Sequence, residues 1–292
     1  MNRFVLLQPE TVEEASAMLA DHEDSRVIAG GTALVLLMKE GLLQPTHLVA
    51  LRRVPRLDLM EQRDGVLFLG GLVTQHTLEI SPRVRRDVPV LAEAAAKVGN
   101  IRIRAVSTVG GSLCEGDYQS DLSPTLVCLG ARVRVHGPEG VRTVPVLDFL
   151  RDTYEVDLAR GELVTGIEVP LPRPNAAAAY VKHVTGPITD RPCVGVAAVV
   201  AVDAAGNCED LRVALSSVQG VSSRPLLVDA AAVGITGRRL DDAAIDAVAD
   251  CAYRRADPPS DLRASAWYRK EMTRVFVRRA LGAARARLKT PH

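Results

Sequence analysis

The chain reads as an α+β protein in two parts. Three observations predict this. Short apolar or alternating stretches with the two-residue period of strands share the chain with segments of helical period. Two glycine pairs, in Ala29-Gly30-Gly31-Thr32 and Thr108-Val109-Gly110-Gly111-Ser112, each follow a strand-like stretch and lead into another apolar run. Prolines 170, 172 and 174, in Pro170-Leu171-Pro172-Arg173-Pro174-Asn175, break the chain where neither a helix nor a central strand can continue.

Taken in order, Thr11 to Asp21 predicts a short helix. Thr11 can cap it, Glu14 sits three residues on, and Val12, Ala15, Met18 and Leu19 make an apolar face. Arg26-Val27-Ile28-Ala29 is a strand running into the first glycine pair. Leu34 to Lys39 follows as a buried helical turn, and His47 to Leu51 as a strand. Val66 to Gly71 is a strand preceded by an Asp64-Gly65 turn, which suggests a hairpin. Val88 to Val98 is an alanine-rich helix. Ile103-Arg104-Ala105-Val106 reads as the strand before the second glycine pair, with an apolar stretch from Leu122 to Leu129 after it. Arg132 to His136 alternates, turns at Gly137-Pro138 and returns through Val141 to Val144 as a second hairpin. Past the prolines, Ala179 to His183, Val194 to Val202 and Leu211 to Ser216 predict three strands of an antiparallel sheet. Asp241-Asp242 caps a helix over Ile245 to Cys251. Asp261 opens a long helix through Trp267, Met272, Phe276 and Leu281, where a core position is expected for Trp267.

Composition narrows the function. With 36 basic and 35 acidic residues the formal net charge is +1, so no overall field recruits nucleic acid or an anionic membrane. The Arg- and Lys-rich stretch from Arg263 to Lys289 reads as a solvated helix face. Aromatics make up 3%, a poor supply of stacking surfaces. The apolar run Val194 to Val202 is far short of the ~20 residues of a membrane span. The N-terminus has no signal-peptide layout, and a cytoplasmic protein is expected. Cys114, Cys128, Cys193, Cys208 and Cys251 are odd in number, widely spaced and lack a C-x-x-C, which speaks for buried free thiols and against a zinc or iron–sulfur site.

The glycine pairs carry the functional signal. Without a Cβ, backbone N–H groups approach a ligand closely, and consecutive N–H groups in a turn or at a helix start make a concave site for phosphate. Two such loops suit the two phosphates of a dinucleotide, or a pyrophosphate and its ribityl arm. Either pair alone also reads as a glycine turn or bulge; together they point to a ligand.

The order strand–AGGT–apolar helix, then TVGG closing in an Asp, resembles the FAD-binding medium subunit of molybdenum hydroxylases, the xanthine dehydrogenase, carbon-monoxide dehydrogenase and aldehyde oxidoreductase type. The resemblance extends to Gly99-Asn100-Ile101-Arg102, to Glu162-Leu163-Val164-Thr165-Gly166-Ile167 and to Asp261 through Arg269, and so runs along nearly the whole chain. It implies an FAD-binding domain of the vanillyl-alcohol-oxidase/PCMH type over residues 1–172, with two α+β subdomains divided near residue 55. A smaller C-terminal domain over 173–292, with a three-stranded antiparallel sheet and helices, would follow. By the resemblance, Ala29, Gly30, Gly31, Thr32 and Ala33 bracket a pyrophosphate together with Thr108, Val109, Gly110, Gly111 and Ser112. Asp121 lies near ribityl or adenosine hydroxyls, which a carboxylate accepts from, and Asp117 belongs to the same segment. Leu163 touches the flavin ring. Lys182 and the stretch Thr185 to Arg191 approach it, and a cation there would favour negative charge on the ring; Lys182 also reads as a solvated strand residue. The sequence departs from the family pattern at Ala33, which removes one side-chain hydrogen bond, and at Tyr118, which stands where a proline is usual.

The resemblance implies non-covalent FAD, no metal in this chain, and partners that carry the rest: a large molybdopterin subunit and a small [2Fe–2S] subunit, as a dimer of heterotrimers. The chain would relay electrons and contribute no catalytic residue of its own. A stand-alone FAD oxidase of the vanillyl-alcohol-oxidase type is the alternative, with Tyr180, His183 and Asp190 as its conceivable site. A third reading is a non-catalytic module that binds a partner through the basic C-terminal helix.

Overall fold

The computed structural model describes residues 2–288. Lys289, the last residue of the basic stretch, and the chain ends at Met1 and His292 lie outside the described residues. The chain first lays down β1 (Val5–Leu7), α1 (Val12–Asp21), β2 (Ser25–Ile28), α2 (Leu34–Lys39) and β3 (His47–Ala50). The strands form a parallel three-stranded sheet in the order β1-β3-β2. Thr11 caps α1 through its hydroxyl, which accepts from Glu14 N at 3.0 Å, while Glu14 reaches back to Glu10 N at 2.7 Å. Ala15 and Leu19 then meet Val49, Leu51 and Leu163 in a small core.

A second unit follows. It comprises β4 (Met60–Arg63), β5 (Val66–Gly70), α3 (Gln75–Ile80), α4 (Pro82–Asp87), α5 (Pro89–Lys97), α6 (Ile101–Val106), α7 (Val109–Glu115) and α8 (Leu122–Cys128). It continues with β6 (Arg132–Gly137), β7 (Gly140–Pro145), α9 (Val146–Phe149), β8 (Leu150–Asp152), β9 (Glu155–Val156) and β10 (Leu163–Pro170). Its main sheet has five strands in the order β4-β5-β10-β6-β7. Asp64 and Gly65 both take positive φ, 50° and 75°, and so make the tight turn of the first hairpin. The stretch 103–106 is helix, not strand. Asn100 Oδ1 accepts from the N–H groups of Arg102 and Ile103, and this cap outweighs the apolar–Arg alternation.

Beyond the prolines come β11 (Ala176–His183), β12 (Val194–Val202), β13 (Cys208–Ser216), β14 (Leu226–Asp229), α10 (Ala230–Val233), α11 (Asp242–Arg255) and α12 (Ala266–Ala286). The sheet has four strands, β11-β12-β13-β14, one more than the sequence predicts. Both its faces are buried, which explains the unbroken apolar run of β12. Val194, Val196, Ala198 and Val200 pack towards α11 and α12. Ala197 and Val199 join the core of the second unit.

Two further expectations are corrected in this region. The long helix opens at Ser265, whose side chain accepts from Tyr268 N, not at Asp261. Asp261 instead caps a turn ahead of it and pairs with the fully buried Arg269 at 2.6 Å. Trp267 is 71% exposed and takes no part in the core. Three basic residues of α12 are paired with α11: Arg285, Arg278 and Arg274 meet Asp242, Asp246 and Asp250 at 2.6–2.7 Å, an antiparallel ladder whose acids lie one helical turn apart.

Candidate functional site

The first glycine pair sits where β2 hands over to α2. Gly31 has φ of 68°, which a side chain disfavours. Gly30 is required by packing: a Cβ there would stand 2.0 Å from Val106 O and 3.0 Å from the Ser107 Cα. The first loop therefore lies directly against the end of α6. Among the described residues, the N–H groups of Gly30, Gly31, Thr32 and Ala33 donate to no protein acceptor.

The second glycine pair is the first turn of α7, not a loop after a strand. Thr108 caps the helix, its hydroxyl accepting from Gly111 N at 3.0 Å. Val109 N donates to Val73 O at 2.9 Å and Gly110 N to Gly71 O at 3.1 Å. These amides are used within the protein, so the N–H groups open to a ligand come from the first segment. Gly111 keeps the gap between the two segments open: a Cβ would meet Thr108 Oγ1 at 2.9 Å and face Ala29 Cβ at 4.0 Å.

Between the three-stranded sheet and the second unit lies a cavity of about 800 Å³, within the range of small-molecule and cofactor sites. Ala29, Gly30, Gly31, Thr32 and Ala33 line it on one side. Thr108, Gly110, Gly111, Ser112 and Leu163 line it on the other. At its rim Arg26 and Arg160 each spend one nitrogen on a backbone carbonyl, of Ser25 and Ala20, leaving guanidinium donors for an anionic ligand. A second cavity of about 300 Å³ adjoins it through Thr32, Ala33, Ser107 and Ser112 and is lined also by Asp117 and Asp121. Val109 is buried in the core of the second unit and reaches neither cavity.

Lys182 is not a solvated strand residue. Its side chain is buried, and its Nζ donates to Asp121 Oδ2 at 2.9 Å and to Lys97 O at 2.8 Å. The other Asp121 oxygen accepts from the Tyr180 hydroxyl. Gly195 makes room for that hydroxyl, since a Cβ would come within 2.8 Å of it. Burial pushes the Asp121 carboxyl up to about 6, against the pull of Lys182 and Tyr180. Burial, then the neighbouring Asp121 carboxylate, hold the Tyr180 phenol protonated.

Arg191 closes one side of the second cavity by gripping Asp117 at 2.6 Å and Glu115 at 2.9 Å. Burial outweighs Arg191 at Glu115 and raises its carboxyl. Cys114 lines the larger cavity, and burial pushes its thiol up to about 12, so it presents no thiolate for covalent attachment. Tyr154 overhangs both cavities on a strained backbone, φ 59°, packed on Gly116.

The sequence reading missed Gln75, Ser107 and Gln119, whose polar side chains line the second cavity, because no motif marks them. It also missed Tyr154 and the wall 155–162. The residues of the alternative oxidase site do not come together: Tyr180 serves Asp121, His183 hydrogen-bonds Tyr268 and stacks on Phe276 at 4.6 Å, and Asp190 lies beside Gly186. Among the described residues no group of His, Cys, Asp and Glu is placed to hold a metal, and no helix is long and apolar enough to cross a membrane.

Unpartnered amides, a glycine-lined approach, rim arginines and two adjoining cavities suit a phosphate-bearing ligand. The comparisons with known proteins make the class specific. Residues 2–172 match the family described as the FAD binding domain in molybdopterin dehydrogenase, and residues 171–284 the CO dehydrogenase flavoprotein C-terminal domain. The chain belongs to this family, the FAD-binding medium subunits of molybdenum hydroxylases. It is 33% identical to the carbon monoxide dehydrogenase medium chain of Afipia carboxidovorans, over 97% of this chain and 96% of the relative. It is 28% identical to the glyceraldehyde dehydrogenase medium chain of Sulfolobus acidocaldarius, over 95% and 96%. Among solved structures it resembles the carbon monoxide dehydrogenase from Hydrogenophaga pseudoflava, with a TM-score of 0.92 and 32% identity over 99% of each chain.

Proposed function

We propose that this chain is the electron-relay subunit of a molybdenum hydroxylase. It would receive electrons from a small [2Fe–2S] partner subunit and deliver them to an external acceptor, after a substrate is hydroxylated at the molybdenum site of a large partner. A dimer of such heterotrimers in the cytoplasm is the assembly we infer; free rather than paired cysteines support a reducing compartment. We read residues 1–172, divided near residue 55, as the FAD-holding part and residues 173–292 as the part that backs it.

The observation that carries this reading is the run of unpartnered N–H groups from Gly30 to Ala33 opening into the large cavity beside Gly111. These amides bind and orient phosphate oxygens. Arg26 and Arg160 add charge at the rim. Leu163 and Leu72 supply apolar wall that excludes water. Lys182 fixes Asp121, whose carboxylate holds the Tyr180 proton in place. When bound, FAD supplies the ability to take up and release electrons singly or in pairs.

The test is Gly111→Val. Its branched side chain would fill the gap towards Ala29 and press on the Thr108 cap, so the purified variant should retain almost no flavin. Normal flavin content in a folded Gly111→Val protein would remove the cradle assignment.

A further inference from the structure

We propose that Gln75, Ser107, Ser112 and Gln119 form a polyol-reading wall of the second cavity, one that recognises a run of vicinal hydroxyls on the bound dinucleotide; this rests on the FAD reading above. Gln75 is 2%, Ser107 6% and Gln119 9% exposed, and all three line that cavity. Gln75 Oε1, Ser107 Oγ and Gln119 Nε2 are buried without a hydrogen-bond partner. Native proteins rarely keep such groups unless something absent from the bare chain satisfies them. The Gln75 amide already meets the Ser112 hydroxyl. Whichever way that amide is turned, one of its polar atoms faces Ser112 and the other is left over.

The wall is held rigidly. Gln75 N donates to Ser107 O at 3.0 Å, and Gln119 N donates to Asp117 Oδ1 at 2.9 Å. The second Asp117 oxygen is gripped by Arg191. With the two amides turned as they stand, the unpartnered set combines an acceptor on Gln75, a donor on Gln119 and the Ser107 hydroxyl, which does both. A phosphate offers only acceptors and an ammonium only donors, so neither completes the set. Vicinal hydroxyls donate and accept at each oxygen, and do complete it.

A flavin dinucleotide carries such hydroxyls on its ribityl chain and on its ribose. Flavin-fluorescence titration of the flavin-stripped chain with FAD, with FAD lacking the ribityl 2′-hydroxyl, and with FAD built on 2′-deoxyadenosine separates the two sources. One of the two analogues should bind roughly tenfold more weakly than FAD, and that one names the source. Gln75→Leu and Gln119→Leu should bind FAD roughly tenfold more weakly and lose the discrimination. If Gln75→Leu does not fold, Ser107→Ala and the analogue series on the unaltered chain decide. Equal binding of all three ligands by the unaltered chain, or folded variants that match it, overturns the inference and leaves the FAD reading intact. An unaltered chain that binds no FAD overturns both.

Discussion

Asp121 shows how one residue couples packing to the site. Its two oxygens are fully engaged by Tyr180 and Lys182, both from β11, while its own backbone opens α8. Burial pushes its carboxyl up to about 6, above the usual 3.8. A buried acid with a raised value stabilises the fold most below its ordinary value. That contribution is lost as pH rises through the folded value, here from about 4 to about 6. Lys182 restrains the shift, so Lys182→Met should raise the Asp121 value further and move the loss into the neutral range. We therefore expect the Tm of Lys182→Met to fall between about pH 6 and 8 where that of the unaltered chain does not. Adding Asp121→Asn should abolish the slope. A Lys182→Met variant with an unchanged pH profile would show that the pair does not control this titration.

At the scale of elements, the closest approach in the site is Gly30 on the end of α6. A methyl group at Gly30 would strike backbone, which cannot rotate away. Gly30→Ala should destabilise the chain by roughly 1–3 kcal/mol, as overpacked sites do, and weaken flavin retention with it. A variant with unchanged denaturation midpoint and flavin content would contradict the packing. Elements with strong local signals were legible in the sequence. Thr11 and Glu14 announce α1, Asp64-Gly65 announces a hairpin, and the alternation of Arg132 to His136 announces β6. The stretch 103–106 reads as a strand because the Ile and Arg alternation of residues 101–104 runs into it. Asn100 decides the matter, and Arg104 then holds the helix to Glu79 and to the carbonyls of Val98 and Gly99. Strand β14 was missed because its four residues follow a proline and carry no alternation.

On the scale of the molecule, the C-terminal sheet closes the second unit rather than standing beside it. Tyr180, Ala197, Val199 and Ala214 belong to the same core as Leu91, Leu113 and Leu126. Arg287 reaches Glu93 and the Ala178 carbonyl as well. Heat should therefore unfold the second unit and the C-terminal sheet in one cooperative transition; separate calorimetric transitions for these two parts would contradict the shared core. The Asp261–Arg269 pair anchors α12 beside Cys193 O. Asp261→Asn strands a buried guanidinium and should cost about 3–5 kcal/mol in denaturant unfolding. Such long-range partnerships were invisible in the sequence, where Asp261 looked like a helix start and Arg269 like one of many surface charges. The two glycine segments were visible. What the sequence did not disclose was that only the first of them leaves its amides free, because the acceptors of the second, Val73 O and Gly71 O, come from a turn distant in the chain.

The most direct test of the central claim is a visible spectrum of the chain purified natively with whatever accompanies it, with flavin and molybdenum quantified on the same sample. The account predicts stoichiometric, non-covalent FAD together with iron–sulfur absorption, molybdenum and two additional polypeptides. A preparation without flavin, even after reconstitution with FAD, would contradict it and reduce both glycine segments to turns.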